Sequence, residues 1–413
     1  MKRLIKRGAM MALAIGMGTA ATAQDTLQMW ARTDVQNFLP QVVEAFNATH
    51  DTKIEVQFIP PSELVQKFAT AAAGGTAPDI LSLDLIYTPA FAAAGQLTDL
   101  TDMAKSLPYF DQLSPAHIQA GTYDGKVYGL PFSADSSVLL WNKDLYKQAG
   151  LDPEDGPSNW AEILSQATAV RALGGDIYGY YFSGACAGCN AFTFLPYIWA
   201  QGSDIVSPDG KSANIDTPEV RGAVDLYRKL LAADTVPPSA ETDTGSSFFS
   251  AFATGKIGIA TSGAFAIGIL NSQYADMNYG VTYIPGPDGK PSSFGGGDNF
   301  VVTAGTENME AVKAFVNHIY SPEMQRLMAE FGSLPVRGDI AANALEGLDA
   351  RYGVATEAMA QGRTPSSVVY NDIYNSATGP WLQFLQEAIY GDDVDASAAV
   401  AQETIQSILD GAK

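Results

Sequence analysis

The sequence has few cysteines, few histidines and few positive charges, and each shortage argues against a class of function. Its 413 residues contain 2 cysteines, 3 histidines and 24 Lys+Arg against 45 Asp+Glu. The histidines, His50, His117 and His318, are scattered and none stands at a metal-ligand spacing from the cysteines, so neither a metal nor another cofactor is expected. The formal net charge of −21 argues against nucleic acid as a partner, because nucleic acid requires a basic surface.

Long apolar runs are also missing, except at the N-terminus. Met1 to Ala23 contains four cations, then the apolar run from Ala9 to Met17, and ends in Ala21-Thr22-Ala23. This pattern is typical of an export signal cleaved after Ala23. No cysteine follows the cleavage point to carry a lipid, so the sequence predicts a protein free in the periplasm.

The two cysteines, Cys186 and Cys189, form a CxxC motif. In an oxidising compartment this spacing predicts a structural disulfide that holds the shape of a loop. A redox-active pair is the alternative, but that motif normally opens a helix near the start of a compact βαβ domain, whereas this one lies mid-chain. A zinc site lacks two further ligands.

Strands and helices alternate at the start of the mature chain, which predicts a parallel α/β arrangement. Thr26 to Trp30 and Lys53 to Ile59 have strand patterns, and Phe38 to Phe46 between them has helical spacing. A helix capped by Ser62 and ended by Gly74-Gly75 follows, and then a buried strand from Pro78 to Leu83.

Two loops are therefore candidates for ligand contact. In open α/β sheets ligands bind beyond the carboxyl ends of the strands. The first strand is followed by Arg32 and Asp34, and the third by Asp84 and Tyr87.

The stretch from Gly121 to Tyr146 predicts a hairpin that leads into a strand crossing between two lobes. Asp124-Gly125 is a two-residue turn signal, and Pro131 is expected to stop the ladder because proline cannot donate to it. The segment from Phe132 to Ser137, with Asp135 and Ser136, is expected to be a polar link ahead of an apolar strand. The alternative is a surface hairpin in an ordinary enzyme.

A second α/β unit is predicted beyond this stretch, from a helix opened by Asn159 and Glu162 to a second crossing at Gly295-Gly296-Gly297. The three glycines indicate either a hinge or a tight crossing beside packed backbone. They are not a phosphate-binding loop, because no helix follows them directly.

Several short motifs follow one another over most of the mature chain. They are the first-strand Trp30, Gly74-x-x-x-Pro78-Asp79-Ile80, Gly125-Lys126-Val127-Tyr128-Gly129-Leu130-Pro131, Trp141-Asn142-Lys143-Asp144-Leu145, Pro157-x-x-Trp160-x-Glu162, Phe252-x-x-Gly255-Lys256-Ile257, Tyr279-Gly280-Val281 and Leu334-Pro335-Val336-Arg337. In order and spacing they resemble the motifs of periplasmic solute-binding proteins of ABC importers, in the carbohydrate-binding cluster that includes maltose-binding proteins.

The resemblance implies an α/β fold of two lobes, each a mixed sheet flanked by helices, joined by hinge crossings that close on one ligand. The implied crossings lie around Asp135, around Gly295 to Asn299 and around Leu334 to Arg337. The lobes are expected to be discontinuous: residues 24–133 with 299–336, and residues 134–298 with 337–413. The implied function is capture of a sugar, an oligosaccharide or a sugar derivative for delivery to the membrane permease subunits. A monomer without catalytic residues is expected.

The expected ligand-binding residues come from the strand-end loops, the crossings and the positions that touch sugar in the family. They are Trp30, Arg32, Asp34, Asp84, Tyr87, Asp135, Ser136, Ser183, Phe265, Gly297, Asp298, Asn299, Arg337 and Trp381. For three of these residues the sequence leaves two roles open. Trp30 is either a core or a contact residue, Trp381 either stacks on sugar or packs in the core, and Arg337 either clamps an anionic group or fixes a lobe through an ion pair.

Two departures argue against maltose itself: Phe265 replaces the tryptophan common after the Ser-Gly turn, and the Cys186-Cys189 loop replaces a different loop. The same fold with a polyamine, glycerol phosphodiester or peptide ligand is one alternative. A secreted glycosidase with Asp84 and Asp135 as its paired carboxylates is the other.

Overall fold

The computed structural model describes residues 26–412 and has the expected α/β architecture. The expected export signal, Met1 to Ala23, lies outside the described residues. The strands are β1 (Thr26–Arg32), β2 (Lys53–Ile59), β3 (Ile80–Asp84), β4 (Thr122–Tyr123), β5 (Lys126–Val127), β6 (Gly129–Asn142), β7 (Tyr178–Tyr181), β8 (Ile257–Gly263), β9 (Tyr279–Thr282), β10 (Ile284–Pro285), β11 (Pro291–Ser292) and β12 (Gly295–Val302).

Helices connect and cover these strands. They are α1 (Leu39–Thr49), α2 (Pro61–Gly74), α3 (Thr88–Ala93), α4 (Thr101–Ser106), α5 (Pro115–Ala120), α6 (Lys143–Gln148), α7 (Trp160–Arg171), α8 (Ala187–Trp199), α9 (Pro218–Ala232), α10 (Ser250–Ala253), α11 (Phe265–Gln273), α12 (Met309–Ile319), α13 (Pro322–Glu330), α14 (Ala341–Leu345), α15 (Arg351–Gln361), α16 (Pro380–Tyr390) and α17 (Val394–Gly411). A π-helical turn spans Asn371–Asn375. Within residues 26–412, none of the helices combines the length and the apolar character needed to cross a membrane.

The N-terminal sheet has the strand order β2-β1-β3-β12-β6. β1 pairs in parallel with β2 and β3, whereas β12 runs antiparallel to both β3 and β6. A strand whose two faces are both covered by helices is expected to be apolar on both faces, and Ile80, Leu81, Ser82 and Leu83 of β3 are all buried. The sheet is therefore mixed, and its parallel half brings the carboxyl ends of β1 and β3 to one edge.

Strand β6 joins this sheet to a second one, because its two halves have different partners. Residues up to Ser136 pair with β12, and residues from Ser137 onward pair with β8. β9 pairs with β6 from Leu139, and β7 extends the C-terminal sheet in parallel to β8. The long strand thus passes from one sheet to the other at Asp135 to Ser137.

Three chain segments lie side by side at this passage. Asp135 of β6 is opposite Gly296 of β12. On its other side, the backbone N–H of Leu334 donates to the carbonyl of Ala134 at 3.1 Å. The three segments predicted to cross between lobes are therefore adjacent.

Local turn and cap signals are confirmed, with one exception. Asp124 and Gly125 both have positive φ, 46° and 73°, as a two-residue hairpin turn requires. Gly75 caps α2 with φ of 69°, and the Asn159 side chain accepts the N–H of Glu162 at 3.0 Å. The prediction that Ser62 caps α2 is wrong, because the helix begins at Pro61, whose fixed φ suits the first helical position.

The expectation that Pro131 stops the ladder is also wrong, because β6 is continuous from Gly129 to Asn142 and includes the expected link from Phe132 to Ser137. Pro131 lies opposite Asn299, where the register of β12 shifts between Asp298 and Asn299. Proline is tolerated in a ladder at such an irregularity, so it does not end the strand.

The three glycines also belong to β12 and pack closely. A Cβ at Gly297 would collide with the carbonyl of Ser133, and one at Gly296 would lie 2.9 Å from the ring of Phe192. Gly297 also has φ of 111°, which strongly favours glycine. Of the two interpretations offered by the sequence, this close contact matches the tight crossing.

Candidate functional site

Arg32, at the carboxyl end of β1, is the centre of a polar cluster. Its Nη1 donates to Asp84 Oδ2 at 3.0 Å and lies 3.3 Å from Asp34 Oδ2. Its Nη2 donates to Asp298, which also accepts a hydrogen bond from the Ser82 hydroxyl. The sheet explains this convergence, because β3 lies beside β1 and the antiparallel β12 sets Asp298 directly opposite Asp84.

Partial burial and neighbouring charges shift the pKa values of the residues in this cluster. Burial alone would lower the pKa of Arg32, but Asp298, Asp84 and Asp34 raise it above the ordinary value, so the guanidinium stays charged. Burial raises the pKa of Asp84 to about 6, against the opposing effect of Arg32. Burial also raises the pKa of Asp34, whose side chain is 51% exposed. The cluster therefore presents carboxylates in excess over its one cation.

Asp135 and Phe265 form a second, adjacent group on the crossing strand. The Oδ1 atom of Asp135 accepts the backbone N–H of Phe265, the first residue of α11, at 3.2 Å. A Cβ added at Gly263 would collide with both the Phe265 ring and the Asp135 carboxylate, so these two side chains flank one position. The absence of a side chain at Gly263 thus places a carboxylate beside an aromatic ring that is 37% exposed.

The Asp135 carboxyl has a strongly perturbed pKa. Burial raises it to about 7, while hydrogen bonds from the backbone of Ser136, Phe265 and Ala264 and the charge of Arg32 oppose the shift. The pairing of β12 with β6 places the two groups in one region, because Asp298, which bonds Arg32, is opposite Ser133, and Gly296 is opposite Asp135. A carboxyl poised near neutrality can accept a hydrogen bond when ionised and donate one when protonated.

The C-terminal part of the chain completes the region with residues that the sequence did not single out. Asn375 donates from Nδ2 to the hydroxyl of Tyr87 at 2.9 Å, across 288 residues of sequence. Tyr370 stacks on Tyr374 with ring centroids 4.9 Å apart. Burial raises the pKa of Tyr370, and so do the nearby Asp84 and Tyr87. The i, i+4 spacing of the two tyrosines was the available sequence signal.

The CxxC loop lies directly behind Asn375. The sulfur atoms of Cys186 and Cys189 are joined, at the start of α8. A Cβ at Gly188, inside the loop, would lie 2.5 Å from Asn375 Oδ1. Gly188, in the first turn of α8, therefore lies against the amide that contacts Tyr87.

Trp381 lies in the core and not at the surface of the polar region. Its side chain is fully buried, packing edge-on against Phe194 of α8 with centroids 5.7 Å apart, and also against Phe384. Of the two alternatives offered for Trp381, packing in the core is the one that matches, because the first turn of α16 packs on α8 and the π-helical turn. Trp30 is also packed, under Lys67, whose Nζ lies 4.6 Å from the ring centroid.

Three other expected residues, Ser136, Ser183 and Asn299, make buried hydrogen bonds within the fold. The hydroxyl of Ser136 donates to the carbonyl of Ala355 at 2.8 Å, and that of Ser183 donates to Asp243 at 2.6 Å. The buried amide of Asn299 donates to the Thr88 hydroxyl and the His117 carbonyl.

Arg337 bonds Asp339 and the carbonyl of Tyr320, and its guanidinium lies 3.8 Å from the Tyr109 ring centroid. These partners correspond to the ion-pair alternative offered for Arg337.

Of the fourteen expected residues, the structure brings Arg32, Asp34, Asp84, Tyr87, Asp135, Phe265 and Asp298 into one region. Carboxylates and an amide beside aromatic rings can accept hydrogen bonds from hydroxyls and pack against C–H faces.

A family model decides the relationship of this chain to known proteins. Residues 31–326 match the model of the bacterial extracellular solute-binding proteins. The chain belongs to that family. Its two sheets joined by crossing strands are the expected two-lobed α/β fold, and the polar cluster lies where the sheets meet.

Individual members of the solute-binding family are distant relatives of this chain. The diacetylchitobiose binding protein of Streptomyces coelicolor is 26% identical over 84% of this chain and 81% of its own. A solute-binding protein of Thermotoga lettingae bound to α-D-tagatose is 24% identical, with a TM-score of 0.81 over 93% of this chain and 100% of its own. A Mycobacterium tuberculosis protein in complex with glycerophosphocholine is 22% identical, with a TM-score of 0.78 over 94% and 98%. The two structures share the fold with this chain.

Proposed function

We propose that this protein is the periplasmic solute-binding component of an ABC importer that captures a carbohydrate between its lobes and delivers it to the membrane permease. The observation that carries the proposal is the convergence of Asp34, Asp84 and Asp135 with Tyr87 and Phe265. Carboxylates accept hydrogen bonds from pairs of sugar hydroxyls, and flat rings cover the C–H faces of a pyranose. The diacetylchitobiose and tagatose binders support a sugar ligand.

A glycerol phosphodiester is the second candidate, because one structural neighbour is a complex with glycerophosphocholine. The charge of the cluster disfavours it. Both terminal nitrogens of Arg32 already bond carboxylates, and Asp135 adds another acidic group. A phosphate would meet like charge without a free guanidinium fork.

The experiment is native mass spectrometry of the protein purified without denaturation, followed by calorimetric titration of the molecule found. A panel of sugars, glycerophosphocholine and spermidine gives the comparison. The proposal expects a sugar to bind and glycerophosphocholine not to bind. Asp84→Asn and Asp135→Asn should weaken the binding of the sugar. Asp124→Asn, in the exposed β4–β5 turn, is the matched control and should leave that affinity unchanged. Binding of the phosphodiester or the polyamine alone would refute the carbohydrate assignment.

We also propose that the lobes comprise residues 24–133 with 299–336 and residues 134–298 with 337–413, that the protein is a monomer, and that it is exported with cleavage after Ala23 and no lipid. The intact mass of protein from the periplasm tests the cleavage and the lipid, and light scattering tests the monomer.

A non-catalytic role predicts no hydrolysis of chromogenic glycosides, and turnover abolished by Asp84→Asn would contradict it.

A further inference from the structure

The CxxC motif lies between a strand and a long helix, which is the setting of reactive cysteine pairs. It follows β7, and Cys186 caps the 13-residue helix α8. The sulfur of Cys186 accepts the backbone N–H of Cys189 at 3.1 Å. A helix N-terminus favours a thiolate over a neutral thiol, so it stabilises the reduced pair. Both cysteines are partly exposed, and exposed disulfides are reduced more readily than buried ones.

One side of the disulfide packs closely against the backbone of Gly245. A Cβ on Gly245 would lie 3.0 Å from the sulfur of Cys186 and 3.1 Å from that of Cys189. Gly245 has φ of 108°, which favours glycine. Its turn is held by Asp243, whose Oδ1 accepts the backbone N–H groups of Gly245 and Ser247 at 3.2 and 3.1 Å. The two sulfur atoms therefore have little free space on this side.

The turn that packs on the disulfide leads to the exposed ring of the candidate site. Phe248 and Phe249 follow it in sequence, and the centroid of each ring lies 6.4 Å from that of Phe265. The backbone N–H of Phe265 donates to Asp135 at 3.2 Å. A chain of contacts thus runs from Gly245 to the carboxyl group of the candidate site.

A second chain of contacts leaves the disulfide on its other side. Gly188, between the two cysteines, lies against Asn375, because a Cβ there would be 2.5 Å from Asn375 Oδ1. The amide of Asn375 donates to the hydroxyl of Tyr87 at 2.9 Å. In the proposed division into lobes, Tyr87 belongs to one lobe and Asn375 to the other. The disulfide therefore adjoins a hydrogen bond that would join the two lobes.

We propose that the Cys186–Cys189 disulfide is a redox switch for ligand binding, with the oxidised protein binding its sugar tightly and the reduced protein weakly. The inference rests on the proposed function and adds a regulation to it. Once the bond is broken, the two sulfur atoms move apart to a non-bonded distance. Gly245 packs too closely on both of them for this separation to leave its turn and the first turn of α8 unmoved. Each of these turns begins one of the two chains of contacts.

The reductant in this proposal is a dithiol. One of its thiolates attacks a sulfur of the disulfide and forms a mixed disulfide, releasing the other cysteine as a thiolate. The second thiolate of the reductant then attacks its own sulfur in the mixed disulfide and releases the second cysteine. Two electrons and two protons pass to the protein, and the reductant becomes a cyclic disulfide.

The first test uses the ligand-free protein before and after treatment with dithiothreitol. Thiol counting on the folded protein should find two thiols after treatment. Hydrogen exchange should then be faster at the backbone amides of Gly245, which bonds Asp243, and of Phe265. The variant with both Cys186→Ser and Cys189→Ser should exchange like the reduced protein, with or without dithiothreitol. A bond that dithiothreitol does not reduce in the folded protein, or unchanged exchange after its reduction, would overturn the switch.

The second test is calorimetric titration of both forms with diacetylchitobiose, maltotriose and D-tagatose. Each sugar that the oxidised protein binds should bind the reduced protein about fivefold or more weakly, and reoxidation with glutathione disulfide should restore the affinity. The double serine variant should bind like the reduced protein and should not respond to dithiothreitol, which controls for an effect of the reductant itself.

The two tests separate this inference from the function on which it rests. Equal affinity of the oxidised and reduced forms would overturn the switch and leave a sugar-binding protein. Glycerophosphocholine or spermidine as the only ligand would overturn the carbohydrate assignment, and the exchange measurement would still decide whether the disulfide controls the turn at Gly245.

Discussion

At the scale of single residues, the site combines the charged cluster around Arg32 with one carboxyl group, Asp135, that bonds no cation directly. Arg32 is held between Asp84 and Asp298, so removing the guanidinium would leave two adjacent carboxylates on neighbouring strands. Asp135 instead bonds the backbone N–H at the start of α11. Its acidity is therefore set mainly by burial, and the group has a direct influence on stability.

The first residue-scale prediction concerns the pH dependence of stability. The pKa of Asp135 is about 7 when folded and about 3.9 when unfolded, so between these values the folded state binds more protons. The free energy of unfolding should therefore fall as pH rises from about 4 to 7, by at most about 1.4 kcal/mol per pH unit from this group. Urea unfolding at several pH values should show a shallower fall for Asp135→Asn than for Asp124→Asn. Equal slopes would contradict the assignment to Asp135.

The second concerns the buried indole of Trp381. Trp381→Ala should cost roughly 3–5 kcal/mol of unfolding free energy, the range for a truncated core aromatic residue. Trp30→Ala is the comparison and should cost less, because Trp30 is only partly buried. The midpoint of urea unfolding measures both. A Trp381→Ala protein as stable as wild type that had lost its ligand affinity would restore the sequence-based view of Trp381 as a contact residue.

At the scale of elements, the sequence predicted local structure and missed long-range placement. The Asp124-Gly125 turn and the Gly75 cap depend on positive φ, which residue type reveals directly. The continuity of β6 through Pro131 depends on a register shift in β12, a partner more than 150 residues away in sequence.

The same distinction explains the site. Asp34 and Asp84 were predicted because they follow predicted strands, whereas Asn375 was missed because a tertiary contact across 288 residues of sequence brings it to Tyr87. The role of Trp381 was left open because its helical pattern did not show that α8 covers the first turn of α16.

The CxxC loop provides the prediction at this scale. Unreduced, unfolded protein from the periplasm should have no free thiol towards a thiol reagent. Replacing both Cys186 and Cys189 with serine should cost at most about 2 kcal/mol of stability, because the closed loop is short. The same variant should lose ligand affinity, since Gly188, between the two cysteines, lies against Asn375. Unchanged affinity in a calorimetric titration would show that Asn375 keeps its place without the disulfide.

At the scale of the whole molecule, β6 connects the two sheets, with β12 and Leu334 on either side of it. The Tyr87–Asn375 hydrogen bond joins distant parts of the chain beside the polar cluster. If the crossings act as a hinge, a ligand that contacts both sides favours the closed arrangement through its differential affinity. Such a ligand also stabilises the fold by mass action, by about 2.7 kcal/mol at 100 times its Kd.

The last prediction tests this closure with the sugar identified by native mass spectrometry. Small-angle scattering should show a smaller radius of gyration for wild type with saturating ligand than without it. Tyr87→Phe removes the acceptor for Asn375 but keeps the ring, so the unliganded variant should be more open than unliganded wild type. Saturating ligand should still close it, because the carboxylates and Phe265 remain. Tyr123→Phe, an exposed tyrosine on the β4–β5 hairpin, should scatter like wild type. Identical scattering of all proteins with and without tightly bound ligand would show that the crossings do not act as a hinge.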